Sequence, residues 1–168
     1  GSDFAASERF VAVLAGTGVT AAAIAGALLV PAIVKRVPPL LLYLTIGSVG
    51  ALFTLSLLVL TRVPAVFALA MVGENVFQSA AFVVEATIIF RTIGEDNPLA
   101  STQFGLLQAA TAFPITYMQA LDGQGYGRAG LTGALMTDAG LSLVACLALL
   151  PLVMLWMRRE RQTRPAVA

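Results

Sequence analysis

The side chains best placed to do chemistry in this sequence lie between Met71 and Glu85, where Glu74, Asn75, Gln78 and Glu85 interrupt an otherwise apolar stretch. Glu74, Gln78 and Glu85 are spaced four and then seven residues apart, which puts all three on one face of an α-helix. A carboxylate held in apolar surroundings is costly when ionised, and low dielectric favours its protonated form. Glu74 is therefore a candidate to carry a proton, with Asn75 and Gln78 beside it as hydrogen-bonding groups for a polar solute. The same stripe also fits a plain polar contact between two helices, and for Glu74 both readings stand. Glu85 lies close to the cytoplasmic end of the same segment, where Arg91 or Lys35 can serve as partner, and is expected to form an interfacial ion pair.

A second polar series opens at Ser101, Thr102 and Gln103 and continues through Gln108, Thr111, Pro114, Thr116, Tyr117 and Gln119. Gln103 and Gln108 join the candidates for handling a solute or a proton. Pro114 lacks the N–H that a helix interior needs, so it is a hinge candidate, with a static kink as the alternative. Asp138 is expected to make a structural hydrogen bond near an interface.

Much chemistry is missing. The chain has no histidine and a single cysteine, so the commonest proton shuttle and metal ligand is lacking and no internal disulfide can form. Cys146 sits in an apolar run and reads as a packing residue. No nucleophile–base pair, metal-ligand cluster or phosphate-binding loop occurs. The glycine-rich segment from Asp122 to Gly127 is not a dinucleotide fingerprint, because no βαβ context surrounds it. Neither an enzyme nor a cofactor or metal is expected.

The elements that must position these groups follow from composition. Of 168 residues, 58% are hydrophobic and only 11% are charged, against roughly 25% charged in ordinary soluble domains. Such a chain lacks the polar surface of a water-soluble globule, and its net charge of +1 gives no reason to invoke nucleic acid. A hydrocarbon core about 30 Å thick needs roughly 20 mostly apolar residues per helix. Five stretches qualify, approximately Phe10 to Val34, Val37 to Leu60, Val63 to Phe90, Leu99 to Leu121 and Ala129 to Met157. The expected fold is an all-α, polytopic transmembrane helix bundle forming one domain over residues 1–168. Val63-Pro64 and Asn97-Pro98 read as helix starts, with proline at the first helical position. The segment from Asp122 to Gly127 reads as a turn ending the fourth helix. Gly18, Ala22 and Gly26 make a small-residue ridge for close helix packing, and Trp156 reads as an interfacial anchor.

Basic residues set the orientation. Five spans would gather Lys35, Arg36, Arg91, Arg158, Arg159, Arg161 and Arg164 on one side, leaving Arg9, Arg62 and Arg128 on the other. Cytoplasmic loops carry the excess of Lys and Arg, which predicts the C-terminus inside and the N-terminus outside. An outside N-terminus without a signal peptide is explained by upstream helices. The chain is therefore expected to be the C-terminal part of a longer protein, with a free-standing five-helix protein as the competing reading.

Two segments carry a family resemblance. The stretch from Gly26 to Arg36, followed directly by another span, resembles the loop signature of the major facilitator superfamily between the second and third helices of a half, although the usual acidic residue is absent and Pro38-Pro39 replaces part of the basic run. The stretch from Leu99 to Gln108 is similar to the start of the eleventh helix in the muropeptide-permease branch, which includes acetyl-CoA-transporter and siderophore-permease relatives. The glycine-rich segment and the last helix with its basic tail continue the likeness, so that the chain would correspond to helices eight to twelve. The resemblance implies a secondary transporter, proton-coupled (symport) and working by alternating access, in the inner membrane of a bacterium. Its implied partners are the lipid bilayer, a small-molecule substrate and a missing N-terminal half. The resemblance also implies that the segment bearing Glu74 and Gln78 lines the central cavity, whereas Asp138 lies on a peripheral helix. A non-transport membrane scaffold or an oligomeric helical bundle is the alternative.

Overall fold

Long apolar runs leave the backbone few ways to satisfy its own N–H and C=O groups, and helix is the local one. The computed structural model describes residues 2–94 and 96–163, with side chains placed as far as Arg159; Arg164 of the basic tail lies outside the described residues. All regular elements are helical, and no strand occurs among the described residues. Four helical runs are long and apolar enough to cross a membrane.

Helix α1 runs Glu8–Val34. Ser7 caps it by accepting the Phe10 N–H at 3.3 Å, and a wider π-type turn over Leu14–Gly18 interrupts its regular pitch. Helix α2, Pro39–Ser56, tightens into a 3₁₀ turn at Leu57–Val59. Helix α3, Pro64–Ile93, has proline at its start after an extended Val63 and ends at Gly94, whose φ of 78° no longer continues a helix.

The last run, Ala100–Thr163, is 64 residues long, about 96 Å if straight, or three times the thickness of a hydrocarbon core. It is not straight. Ala129 (φ −140°, ψ 22°) and Gly130 (φ 61°, ψ −150°) leave helical geometry, and the positive φ favours glycine. Gly125 and Gly133 lie backbone to backbone, whereas residues eight apart in a continuous helix are separated by about 12 Å. The run therefore folds back on itself, giving α4 (residues 100–128) and α5 (residues 131–163).

This corrects the expected turn from Asp122 to Gly127. That segment is helical and continues α4 to Arg128; the break falls at Ala129-Gly130. Each helical glycine costs about 1 kcal/mol relative to alanine. Here the small residues also let α4 and α5 approach, since a side chain at Gly125 or Gly133 would strike the facing backbone. The start of α4 also moves, to Ala100. Asn97 makes a local turn instead, its Oδ1 accepting the Leu99 N–H at 2.9 Å.

Helix α3 is the hub, packing against α1 on one side and α2 on the other, while α2 also packs against the last run. A core cluster joins Val30 of α1, Leu42 of α2, and Ala80 and Val84 of α3, with Val84 wholly buried. Gly26 of α1 meets the backbone of Val76 and the side chain of Ser79, leaving no room there for a β-carbon. Ala22 and Gly26 of the expected ridge are buried, whereas the nearest neighbour of Gly18 is Leu14 of its own helix. Between α2 and α3 the Phe53 ring covers Gly73, and the Phe53 and Phe77 rings pack 5.6 Å apart. Outward faces remain apolar: Leu28 is 72% exposed and Phe113 70%. Such a surface suits lipid contact and marks a membrane-associated protein.

Candidate functional site

The polar stripe of α3 is divided between two environments. The helix continues to Ile93, so its midpoint falls between Gln78 and Ser79, with Glu74 and Glu85 on either side and about 16 Å apart along the axis.

Glu74 faces the packed side. Thr54 of α2 is 4% exposed, and its Oγ1 donates to Glu74 Oε1 at 2.5 Å. The Gly50 carbonyl lies 3.2 Å from the same hydroxyl. With only one proton on that hydroxyl, Thr54 can donate to an ionised Glu74 or, when Glu74 carries the proton and donates it, turn to the Gly50 carbonyl. Asp138 of α5 stands within electrostatic reach of Glu74, and Asp122 of α4 within reach of Asp138. One carboxylate oxygen of Asp122, Oδ1, is buried without a hydrogen-bond partner among the described residues. Asp138 likewise makes no hydrogen bond there, so its expected structural bond is replaced by the company of other carboxylates.

Glu85 faces a cleft of about 290 Å³. Helix α2 contributes Tyr43, α3 contributes Gln78, Ala81, Phe82 and Glu85, and α4 contributes Thr111, Pro114 and Ile115. Tyr43 lies within electrostatic reach of Glu85. Neither hydrogen bond nor ion pair engages Glu85 among the described residues. The expected pairing with Arg91 fails for a geometric reason: α3 stays helical to Ile93, and residues six apart point about 120° away from each other around the axis. Pro114 sits in unbroken helix on the cleft wall, and the non-helical backbone of this run lies instead at Ala129 and Gly130.

The remaining candidates lie elsewhere. Asn75 Nδ2 donates to the Met71 carbonyl of its own helix at 2.8 Å. Gln103 Oε1 accepts from Asn97 Nδ2 at 2.9 Å, and the same nitrogen donates to the Ile93 carbonyl at 3.1 Å, so Gln103 helps tie α3 to α4. Gln108 is exposed and outside the cleft. Cys146 packs its sulfur against Gly47 of α2.

Thr54, Tyr43 and Asp122 are the groups that sequence reasoning missed. A lone threonine in an apolar helix ordinarily bonds its own i−4 carbonyl, and Thr54 has that carbonyl within reach as well, so nothing in its neighbours distinguishes it. Asp122 was hidden by the reading of its segment as a turn. Comparisons with protein-family models, with curated proteins and with solved structures give no match.

Proposed function

We propose that this chain is part of a membrane secondary transporter that moves a small organic solute by proton-coupled alternating access. In this reading it forms five spans, with the last run contributing two through its fold-back at Ala129-Gly130, the N-terminus outside and the C-terminus inside. A second helical unit completes the cavity wall, and membership of the major facilitator superfamily, close to its muropeptide-permease and siderophore-permease relatives, gives the solute class.

One observation carries the proposal: a single helix presents a solute-sized cleft at Gln78 and Glu85 and, further along the same face, a carboxylate, Glu74, whose hydrogen-bond partner is a buried hydroxyl and not a cation. A carboxyl so placed can change its protonation without opening an ion pair, which is what coupling to a proton gradient requires.

The test is uptake of candidate muropeptides and siderophores into proteoliposomes holding the full native polypeptide under an imposed pH gradient. Glu74→Gln is expected to abolish gradient-driven accumulation while leaving solute exchange at equal pH. Accumulation at the wild-type level in Glu74→Gln would exclude proton coupling through this residue.

A further inference from the structure

We infer that the cleft between α2, α3 and α4 binds a small organic ammonium ion, a single-ring or similarly compact primary amine, with Glu85 as its counter-ion. Naming this ligand as cargo rests on the transporter reading; its binding does not.

The first ground is unspent hydrogen-bonding capacity. Tyr43, Gln78 and Glu85 make no side-chain hydrogen bond among the described residues, and all three line the same cleft. Thr111 donates its hydroxyl proton to the Gln108 carbonyl at 2.9 Å, so the oxygen it presents to the cleft can only accept. An ammonium group has three N–H donors and no acceptor. The carboxylate of Glu85, the amide oxygen of Gln78 and the hydroxyl of Thr111 complement it.

The second ground is charge. An ionised carboxylate within an apolar helix bundle is costly unless paired. The geometry of α3 aims Arg91 elsewhere, so a cation brought by a ligand can fill a role that the described residues leave open. A neutral ligand would leave the charge uncompensated, and an anion would be repelled.

Shape is the third. Phe82, Pro114 and Ile115 supply apolar walls, and Phe82, 45% exposed, has ring surface available to an ammonium or to a ligand ring. A volume of about 290 Å³ is at the lower end of ligand pockets, roughly 300–1,000 Å³. A whole muropeptide or siderophore would extend beyond it, whereas a compact amine would not.

The experiment uses the purified full native polypeptide in lipid nanodiscs, with empty nanodiscs subtracted, near neutral pH. Three probes of nearly equal shape are titrated by calorimetry: 2-phenylethylammonium, neutral 2-phenylethanol and anionic 3-phenylpropanoate. The ammonium is expected to bind roughly tenfold or more tighter than the alcohol, as a charge-assisted contact supplies, with the anion weakest. Glu85→Gln should bring the ammonium to the level of the alcohol, while Glu74→Gln keeps the preference. Ala81→Trp, which fills the cleft and retains the carboxylate, should lose both ligands; circular dichroism checks that each variant is folded. Equal binding of ammonium and alcohol by the wild type would overturn the assignment. So would a preference that survives Glu85→Gln, or ammonium binding that survives Ala81→Trp. Glu85-dependent binding without uptake in proteoliposomes would keep this site and remove transport, whereas uptake of a solute without ammonium binding would do the reverse.

Discussion

Glu74 and Glu85 occupy the same face of the same helix, yet their surroundings differ in nearly every respect that governs a carboxylate. Glu74 meets Thr54 across a tight interface where Phe53 covers Gly73 and Phe77 packs against Gly50. Glu85, three turns further along, opens on a cleft whose other polar groups have hydrogen bonds to spare. The difference comes from the neighbours of α3 and not from α3 itself. Where α2 brings small and flat residues to the contact, the helices close and a hydroxyl must satisfy the carboxylate. Where α2 presents Tyr43 and α4 presents Thr111 and Pro114, they stand apart and leave space. One helix can thereby hold a sequestered carboxyl and an accessible one.

The largest expected effect would remove both environments at once. Gly26→Leu drives a side chain into the backbone of Val76 and into Ser79, immediately behind the stripe, and neither backbone can yield cheaply. Destabilisation of about 3 kcal/mol or more is expected from such overpacking, measured by denaturant unfolding in detergent followed by circular dichroism. A near-neutral result would mean that α1 does not brace α3.

Thr54→Val should act on one side of the comparison alone. It strands a half-buried carboxylate and is expected to cost about 1–2 kcal/mol, while Thr54→Ser, which keeps the hydroxyl, should cost much less. Ammonium binding in the cleft should be unchanged in both. Equal losses for Val and Ser would show that packing, and not the hydrogen bond, holds this locus together.

Gly130→Ala tests the placement of α5, which brings Asp138 toward Glu74 but adds nothing to the cleft wall. Forcing a β-carbon onto a backbone with φ of 61° and ψ of −150°, a region essentially reserved for glycine, costs about 1–3 kcal/mol. The unfolding midpoint should fall accordingly, with the cleft keeping its ligand preference.

Glu85→Gln should have the smallest effect on stability, within about 0.5 kcal/mol as for surface changes that break no contact. A loss as large as that of Thr54→Val would reveal a partner for Glu85 and erase the contrast between the two regions.

Much of this was legible in the residues. Helical spans follow from long apolar runs, and the alignment of Glu74, Gln78 and Glu85 follows from a spacing that any regular helix converts into a shared face. Pro64 at the start of α3 needed only the rule that a first helical residue has no N–H to lose. The chain reversal near residue 129 was harder. Glycine signals a turn in water-exposed loops, but between two closely packed helices it also serves contact, and the segment from Asp122 to Gly127 took the second use. Gln103 was read as a solute ligand because amides in apolar segments invite that reading; its partner, Asn97, becomes apparent only when the link between α3 and α4 is folded.

By itself the sequence determined that the chain is helical, apolar enough to meet lipid, and equipped with carboxylates on one helix face, because each of these depends on local period and composition. It also excluded histidine chemistry, since no histidine is present. Only the tertiary structure decided that Glu74 is answered by Thr54, that Asp138 stands within reach of it and Asp122 within reach of Asp138, and that Glu85 is left facing a cleft. Those outcomes depend on which helices α3 touches and how closely, and helix packing distance is set by pairs of residues far apart in the chain, such as Gly26 with Val76, Gly73 with Phe53 and Gly125 with Gly133.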